Sequence, residues 1–256
     1  MSSDKMSKGD KRRSQILEAV EKTGEITIPQ VMERFSCSEA TARRDLNLLA
    51  DANFVIRTIG GASSKRGVLP EMSFREKEDL LPDIKETLAV KAASFIEEGD
   101  IIGLTGGTTT FHIARQIKNR SNITVVTNAV NIAMELADSD TVQTVLTGGV
   151  LRSKSYEMCG PLAESVLEKL NIGKMFVGLD GISLGEGLTT YSELEAQIGR
   201  LMIERSKMTI AVFDNTKVNR TSLFTLAPLS AVHRCITDME PDEEWKKRLR
   251  ELGIKW

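Results

Sequence analysis

The sequence predicts an α/β protein in two parts: an N-terminal winged helix-turn-helix followed by a domain built on a mostly parallel sheet. Three observations predict this. Two short amphipathic helical stretches, Thr27–Phe35 and Ser38–Leu49, are separated by a tight Ser36-Cys37 turn, the pattern of a helix-turn-helix. From residue 100 onward, apolar β-like runs alternate with helical stretches, which implies repeated βα units and a parallel sheet. A length of 256 residues with 41% hydrophobic content leaves room for two domains and a sizeable core in the larger one.

Taken in order, residues 1–9 are polar and read as a loose tail with no apolar stretch that would make a signal peptide. The spacing predicts a first helix over Lys11–Glu21, with Ile16, Leu17 and Val20 inward. Thr27-Ile28-Pro29-Gln30 has capping-box form, a hydroxyl at the N-cap and Gln three residues on. Ile28, Val31, Met32 and Phe35 then recur at helical spacing. Ser38 can cap the third helix. Wound at about 100° per residue, that helix puts Ala42, Leu46 and Leu49 on one face. Arg44, Ala40 and Asn47 lie opposite, with Arg43 and Thr41 on the flanks. A guanidinium matches either a phosphate or the O6/N7 edge of guanine. Phe54–Gly61 is β-rich and ends at a Gly pair, which suits a hairpin, with Arg57 placed to reach a DNA backbone or minor groove. The candidate DNA-binding residues are therefore Lys11, Arg12, Arg13, Ser38, Glu39, Thr41, Arg43, Arg44, Asn47 and Arg57. Residues 10–62 form this domain, and 63–73 has linker composition.

Residues 74–256 form the second domain. A helical segment from Phe74 to Glu97 is interrupted at Pro82. Strands are expected at Ile101–Leu104, Ile123–Val126, Val142–Leu146, Met175–Leu179, Thr209–Phe213 and Val232–Ile236. Helices are expected at Phe111–Lys118, Val130–Ala137, Leu162–Leu170, Glu193–Ser206 and Asp242–Leu252. Each strand is followed by small, hydroxyl, amide or charged residues, and ligands of open α/β sheets bind beyond the carboxyl ends of the strands. One such loop would be ordinary; six together, two with Gly-Gly, point to a polar small-molecule site. Thr105-Gly106-Gly107-Thr108-Thr109 at a helix start suits a phosphate, and it is neither a Walker loop nor GxGxxG. Arg152 and Lys217 are candidate cations. Asp180, Asn128 and Glu193 are candidate partners of sugar hydroxyls. Thr127, Gly148, Gly149 and Gly181 complete the candidate effector site. His112 stands just behind the glycine loop. Trp245 and Trp256 suit packing of the last helix.

Charge and cysteine content narrow the function classes. Residues 1–66 carry 12 Lys/Arg against 9 Asp/Glu, and the remainder 22 against 27. A mildly basic head on an acidic body suits a protein that places only its head on nucleic acid. Cys37, Cys159 and Cys235 are scattered, with no metal-ligand spacing, so no metal, disulfide framework or cofactor is expected. No apolar run reaches 18 residues, so a cytoplasmic protein with no membrane partner is expected.

The series Arg12, Ile16, Val20, then Ser38-x-x-Thr41-Ala42-Arg43-Arg44-Asp45-Leu46 and Gly60-Gly61-Ala62 resembles the N-terminal signature of the DeoR family of bacterial transcription regulators. The body resembles the family's sensor domain at 106–109, Thr127-Asn128, Gly148-Gly149 with Arg152, Asp180-Gly181, Asp214 to Lys217 and Thr237-Asp238. The resemblance implies a repressor of a carbohydrate-utilisation operon. It also implies a sensor domain related to ribose-5-phosphate isomerase that binds a phosphorylated sugar or related metabolite. Two departures stand out: Thr105 occupies a place usually held by Asp, and Gly199 one often held by a basic residue. The implied partners are operator double-stranded DNA, that metabolite, and further copies of the chain as a dimer or tetramer. A single head buries too little surface for tight binding. The alternative is a sugar-phosphate isomerase with an accessory domain. Isomerisation needs a positioned carboxylate base, and Asp180-Gly181-Ile182-Ser183 lacks a second acid close by, leaving Glu193 as the substitute. The expectation is a regulator, not an enzyme.

Overall fold

A computed structural model describes residues 7–52, 54–64 and 71–256. The expected tail over 1–9 falls mostly outside these residues, and so does most of the expected linker over 63–73. The chain forms two compact units, one ending at Ile84 and the other beginning at Lys85. Residues from 74 were expected with the body, but those up to Ile84 group with the head, where Met72 and Leu80 pack on its core.

In the first unit, α1 runs Lys8–Thr23, β1 Glu25–Thr27, α2 Ile28–Phe35, α3 Glu39–Asp51, β2 Val55–Thr58, β3 Gly61–Ser64 and α4 Phe74–Glu78. Helix α1 starts three residues before the expected position because Ser7 caps it, accepting from the Asp10 N–H. The capping box at α2 is complete: Thr27 N–H donates to Gln30 Oε1 at 2.8 Å, and Gln30 N–H to Thr27 Oγ1 at 3.4 Å. Ser36, at φ 49°, closes α2 in the left-handed region and starts the turn into α3. Ile16, Val20, Val31, Ala42, Leu46 and Leu49 meet in one buried core. The wing is a three-stranded antiparallel sheet in the order β1-β3-β2. Its β1 was not expected, because three residues are too few for a periodicity to show. Its β3 lies partly in the stretch expected as linker.

The second unit has α5 (Pro82–Ala93), β4 (Ile101–Leu104), α6 (Thr108–Ile117), β5 (Ile123–Thr127), α7 (Val130–Leu136), β6 (Val142–Leu146), β7 (Val150–Arg152), β8 (Glu157–Cys159), α8 (Pro161–Leu167), β9 (Ile172–Val177), β10 (Gly181–Ser183), β11 (Gly187–Thr190), α9 (Glu193–Glu204), β12 (Ser206–Val212), β13 (Phe224–Ala227), β14 (Arg234–Ile236) and α10 (Glu243–Leu252). Six strands form one sheet in the order β14-β12-β9-β4-β5-β6, and every pairing in it is parallel. The chain builds outward from β4 through β5 to β6. It then returns to the other side of β4 and builds through β9 and β12 to β14. The order therefore reverses between β4 and β9, the topological switch point at which such sheets open a crevice for ligands. The expected strands and helices are all present, with ends shifted by a few residues.

Two additions were not expected. The β7–β8 hairpin pairs Arg152 with Glu157, and β10-β11-β13 forms a small antiparallel sheet. Both are made of strands of only three or four residues, too short for a periodicity to show. The core of the body includes Met175, Phe176, Val177, Ile198, Ile210 and Ala211. At its end, the Trp245 and Trp256 rings meet at a tilt, 5.7 Å between centres, and Trp245 Nε1 donates to Asn219 Oδ1. They pack the last helix, as their spacing suggests.

Two outcomes test this packing. A Cβ at Gly61 would stand 2.7 Å from Thr27 Cα and crowd the Ile26 carbonyl. Gly61→Ala is therefore expected to cost about 2 kcal/mol or more by forcing β3 away from β1, read as a lowered melting temperature of the head. At the ends of β12 and β14, burial first and the Asp214 charge second push the Asp238 carboxyl up from 3.8 to about 6. A raised carboxyl favours the folded state fully below its unfolded value, and that contribution is lost as pH rises through the folded value. Asp238→Asn should therefore stabilise the body above about pH 6 by the order of 1–2 kcal/mol after solvent screening. It should leave stability near pH 4 almost unchanged; urea midpoints at the two pH values would show the difference.

Candidate functional site

The head offers one polar face. Ala40, Arg43, Arg44 and Asn47 are exposed along α3, opposite buried Ala42, Leu46 and Leu49. Ser38 caps the helix, with its Oγ 2.9 Å from Thr41 Oγ1. Arg43 is paired with Glu39 one turn back at 2.7 Å, an exposed i,i+4 pair that adds only a few tenths of a kcal/mol, on the order of 0.3–0.5, to the helix. Arg44 makes no hydrogen bond or ion pair among the described residues, and its guanidinium projects from the same face.

Arg57, expected to reach toward DNA, is held instead. Its Nε donates to Asn47 Oδ1 at 2.9 Å and its Nη1 to the Gly61 carbonyl. It ties the wing to α3. The wing turn carries Ile59 fully exposed at its tip.

Arg12 and Arg13 also differ from expectation. Asp45 sits on the buried face of α3, 2% exposed, and both arginines of α1 turn to it. Arg12 Nε lies 2.5 Å from Asp45 Oδ2, Arg13 Nη1 lies 3.3 Å from Oδ1, and Arg13 also pairs with Asp10. Hydrogen bonding to Asp45 holds the Arg12 guanidinium above its ordinary pKa. A carboxylate taken out of water requires such donors. Asp45 falls between Ala42 and Leu49 on the apolar stripe, and that position was the available sign of burial. Lys11 stays exposed.

The body brings its polar groups together at the β4/β9 crevice. Thr105 follows β4, and its Oγ1 accepts from the Gly178 N–H beyond β9 at 3.0 Å. Gly107 caps α6 at φ 124°, a conformation that favours glycine, and Thr108 and Thr109 are buried in the first turn. Gly106 is glycine for another reason: a Cβ there would stand 2.5 Å from Glu157 Oε1. Thr127 Oγ1 is used by the backbone, donating to the Leu104 carbonyl at 2.8 Å and accepting from Ala129 N–H. Asn128 is fully buried, and its Nδ2 donates to Glu157 Oε2 at 2.8 Å. Gly148 and Gly149 turn the chain into the hairpin, and Gly149 approaches the Cys159 carbonyl too closely for a side chain.

Arg152 Nε donates to Glu195 Oε1 at 3.0 Å. Thr190 Oγ1 lies 3.2 Å from Asp180 Oδ2 and 3.4 Å from Glu195 Oε2. Asp180 also accepts from Tyr191 N–H at 3.2 Å. Glu193, the carboxylate singled out from sequence, is exposed and lines a surface depression with Gln197, Arg200 and Phe224. Glu195, two residues on, is the one that turns to Arg152. Gly181 lies in β10 against Thr189 and the Arg220 backbone. Lys217 ends the short turn after β12 and is half-buried. His112 is half-buried on α6, and burial lowers its pKa. The space beside Gly199 is filled by Leu226. Glu157, Glu195, Thr190 and Asn131 escaped the sequence reading; the first stands on the unexpected hairpin. No cluster of three or more metal-ligating side chains occurs among the described residues, and no helix among them is long and apolar enough to cross a membrane.

The comparisons agree with both halves. The DeoR-like helix-turn-helix domain matches residues 12–67, and the DeoR C terminal sensor domain matches residues 82–239. The HTH-type transcriptional regulator GlpR of Haloferax volcanii is 32% identical over 243 residues, covering 95% of each chain. The HTH-type transcriptional repressor GlcR of Bacillus subtilis is 32% identical, covering 96% of this chain and 95% of its own. The glycerol-3-phosphate regulon repressor of Escherichia coli is 30% identical, covering 91% of this chain and 92% of its own. These relatives are named as regulators, not as enzymes. The chain belongs to the DeoR family of transcriptional regulators.

Proposed function

We propose that this protein is a transcriptional repressor of a carbohydrate-related operon, acting in the cytoplasm and controlled by a phosphorylated sugar or related metabolite. The observation that carries the reading is the outward face of α3. It holds an exposed Arg44, without a partner among the described residues, on a helix whose opposite face is locked by Asp45 to Arg12 and Arg13. Arg44, with Thr41, Arg43 and Asn47, enters the major groove, where a guanidinium can take guanine O6 and N7 together. Ser38 and Glu39 stand at the helix start. Lys11 contacts phosphate. Arg12, Arg13 and Arg57 position the helix and the wing. DNA binding resides within 10–62, and the part beyond the 63–73 linker senses the metabolite.

The metabolite site is the β4/β9 crevice. Gly107, Thr108 and Thr109 at the start of α6 take the phosphate with Lys217, since a helix N-terminus offers free N–H donors and a favourable dipole. Asn128, Asp180 and the Arg152–Glu195 pair take the remaining polar groups. Two or four copies of the chain would place heads on repeated half-sites about one helical turn apart, or a multiple of it. Effector binding biases the spacing of those heads, which is a coupling between two sites.

Two pairs of measurements test this reading. Arg44→Ala should weaken binding to the promoter region of the protein's own operon roughly 10- to 100-fold, with melting temperature and effector affinity unchanged. Asp45→Ala should instead destabilise the head by about 3 kcal/mol, because Arg12 loses its buried partner and Arg13 keeps only Asp10. Arg44→Ala binding like wild type would refute the assignment of α3. In the second test, phosphorylated sugars and polyols are screened by thermal shift, since a ligand of the folded state stabilises it by mass action. A positive shift that also changes promoter retention is expected. Turnover of a sugar phosphate in the same samples would favour an isomerase.

A further inference from the structure

We propose that Glu157 is a specificity-determining residue of the effector pocket, and that it reads hydrogen-bond donors, hydroxyl or ammonium, on the unphosphorylated part of the metabolite. The inference rests on the sugar-phosphate reading above and narrows it.

Glu157 is 8% exposed and reaches from β8 to the glycine loop after β4. A glycine loop at a helix start ordinarily accepts an anion through its N–H groups. At Gly106 the side on which a Cβ would stand is filled by the Glu157 side chain, so a phosphate drawn to that residue would meet a like charge. The anion is therefore directed to the other end of the loop, at Gly107 to Thr109, and the surface at Gly106 selects for the opposite chemistry.

The surrounding groups agree. Asn128 is fully buried; its Nδ2 is engaged by Glu157 Oε2 at 2.8 Å and lies 3.4 Å from the Met158 carbonyl. Its Oδ1 is buried without a hydrogen-bond partner. Asn131, in the first turn of α7, has both amide atoms buried without a partner. Val130, next to it, donates its N–H to the Tyr156 carbonyl, which places this turn against the hairpin. Buried polar groups are nearly always hydrogen-bonded, and exceptions mark places where something else binds. Asn128 thus holds a free acceptor beside the Glu157 carboxylate, and Asn131 holds one free acceptor and one free donor on the neighbouring turn.

Charge points the same way. Arg152 is the register partner of Glu157 across the hairpin and donates to Glu195, and both carboxylates and the guanidinium act on Cys159 nearby. Their combined field is felt by Cys159, whose thiol is pushed up to about 12 by burial and then by Glu157 and Glu195, against the opposing effect of Arg152. A ligand group that enters must bring donors.

The test uses the full chain and calorimetric titration with glucose-6-phosphate, glucosamine-6-phosphate, sorbitol-6-phosphate and inorganic phosphate. Wild type should bind at least one of the organic phosphates. Glu157→Gln, which keeps the shape and removes the charge, should weaken that compound roughly tenfold or more. It should not weaken inorganic phosphate, and retention on the promoter DNA should be unchanged. A larger loss for glucosamine-6-phosphate assigns the donor as ammonium, and an equal loss across the organic compounds assigns it as hydroxyl. If Glu157→Gln does not fold, Glu157→Asp, one methylene shorter, should show the same selective loss. Wild-type affinity for the organic phosphates in the substituted protein overturns the role of Glu157 alone. Absence of binding by any organic phosphate to wild type overturns the sugar-phosphate reading and this inference with it.

Discussion

A carboxylate removed from water has to be met by donors, and both halves of this protein are arranged around that requirement. In the head the carboxylate is Asp45, buried on the inner face of α3 and met by Arg12 and Arg13 of α1. Hydrophobic contacts alone would hold α3 in the core and leave it free to slide or rotate by small amounts. Two guanidinium groups aimed at one carboxylate fix both its height and its rotation, and so fix where Arg44 points. In the body the carboxylate is Glu157, met by Asn128 and standing over Gly106. That contact fills the space beside Gly106 and is the basis of the role proposed for Glu157.

The position proposed for the effector site follows from strand order. Because the sheet grows first to one side of β4 and then to the other, the loops leaving β4 and β9 stand side by side at the switch point. The contact from Gly178 N–H to Thr105 Oγ1 joins the two loops. The hairpin and α9 add Glu157, Arg152 and Glu195, the last two joined by a hydrogen bond. Residues far apart in the chain, from 105 to 195, reach one place because each follows the carboxyl end of a strand or packs on a segment that does.

Much of this was legible in the sequence. The order of βα units, the capping box at Thr27 and the apolar stripe of α3 rest on local periodicity and local hydrogen bonding, which a linear pattern preserves. What escaped depends on partners distant in sequence. Arg12 and Arg13 look like phosphate contacts until Asp45 is seen to be buried. Gly106 looks like a ligand approach until Glu157 is found against it. Glu193 and Glu195 differ by two positions on one helix, and only the packing of α9 decides which meets Arg152. The β7–β8 hairpin has three-residue strands, too short to carry an alternation, and it carries Glu157, the least expected member of the proposed site.

The tie from Arg57 to Asn47 and to the Gly61 carbonyl has a mechanical consequence. The separation between the wing and α3 is set before any duplex arrives. A duplex whose grooves do not match that separation must itself bend or twist to fit, at a cost that depends on its own stiffness. Rigid A-tracts and pliable pyrimidine–purine steps will then be told apart at base pairs that no side chain touches.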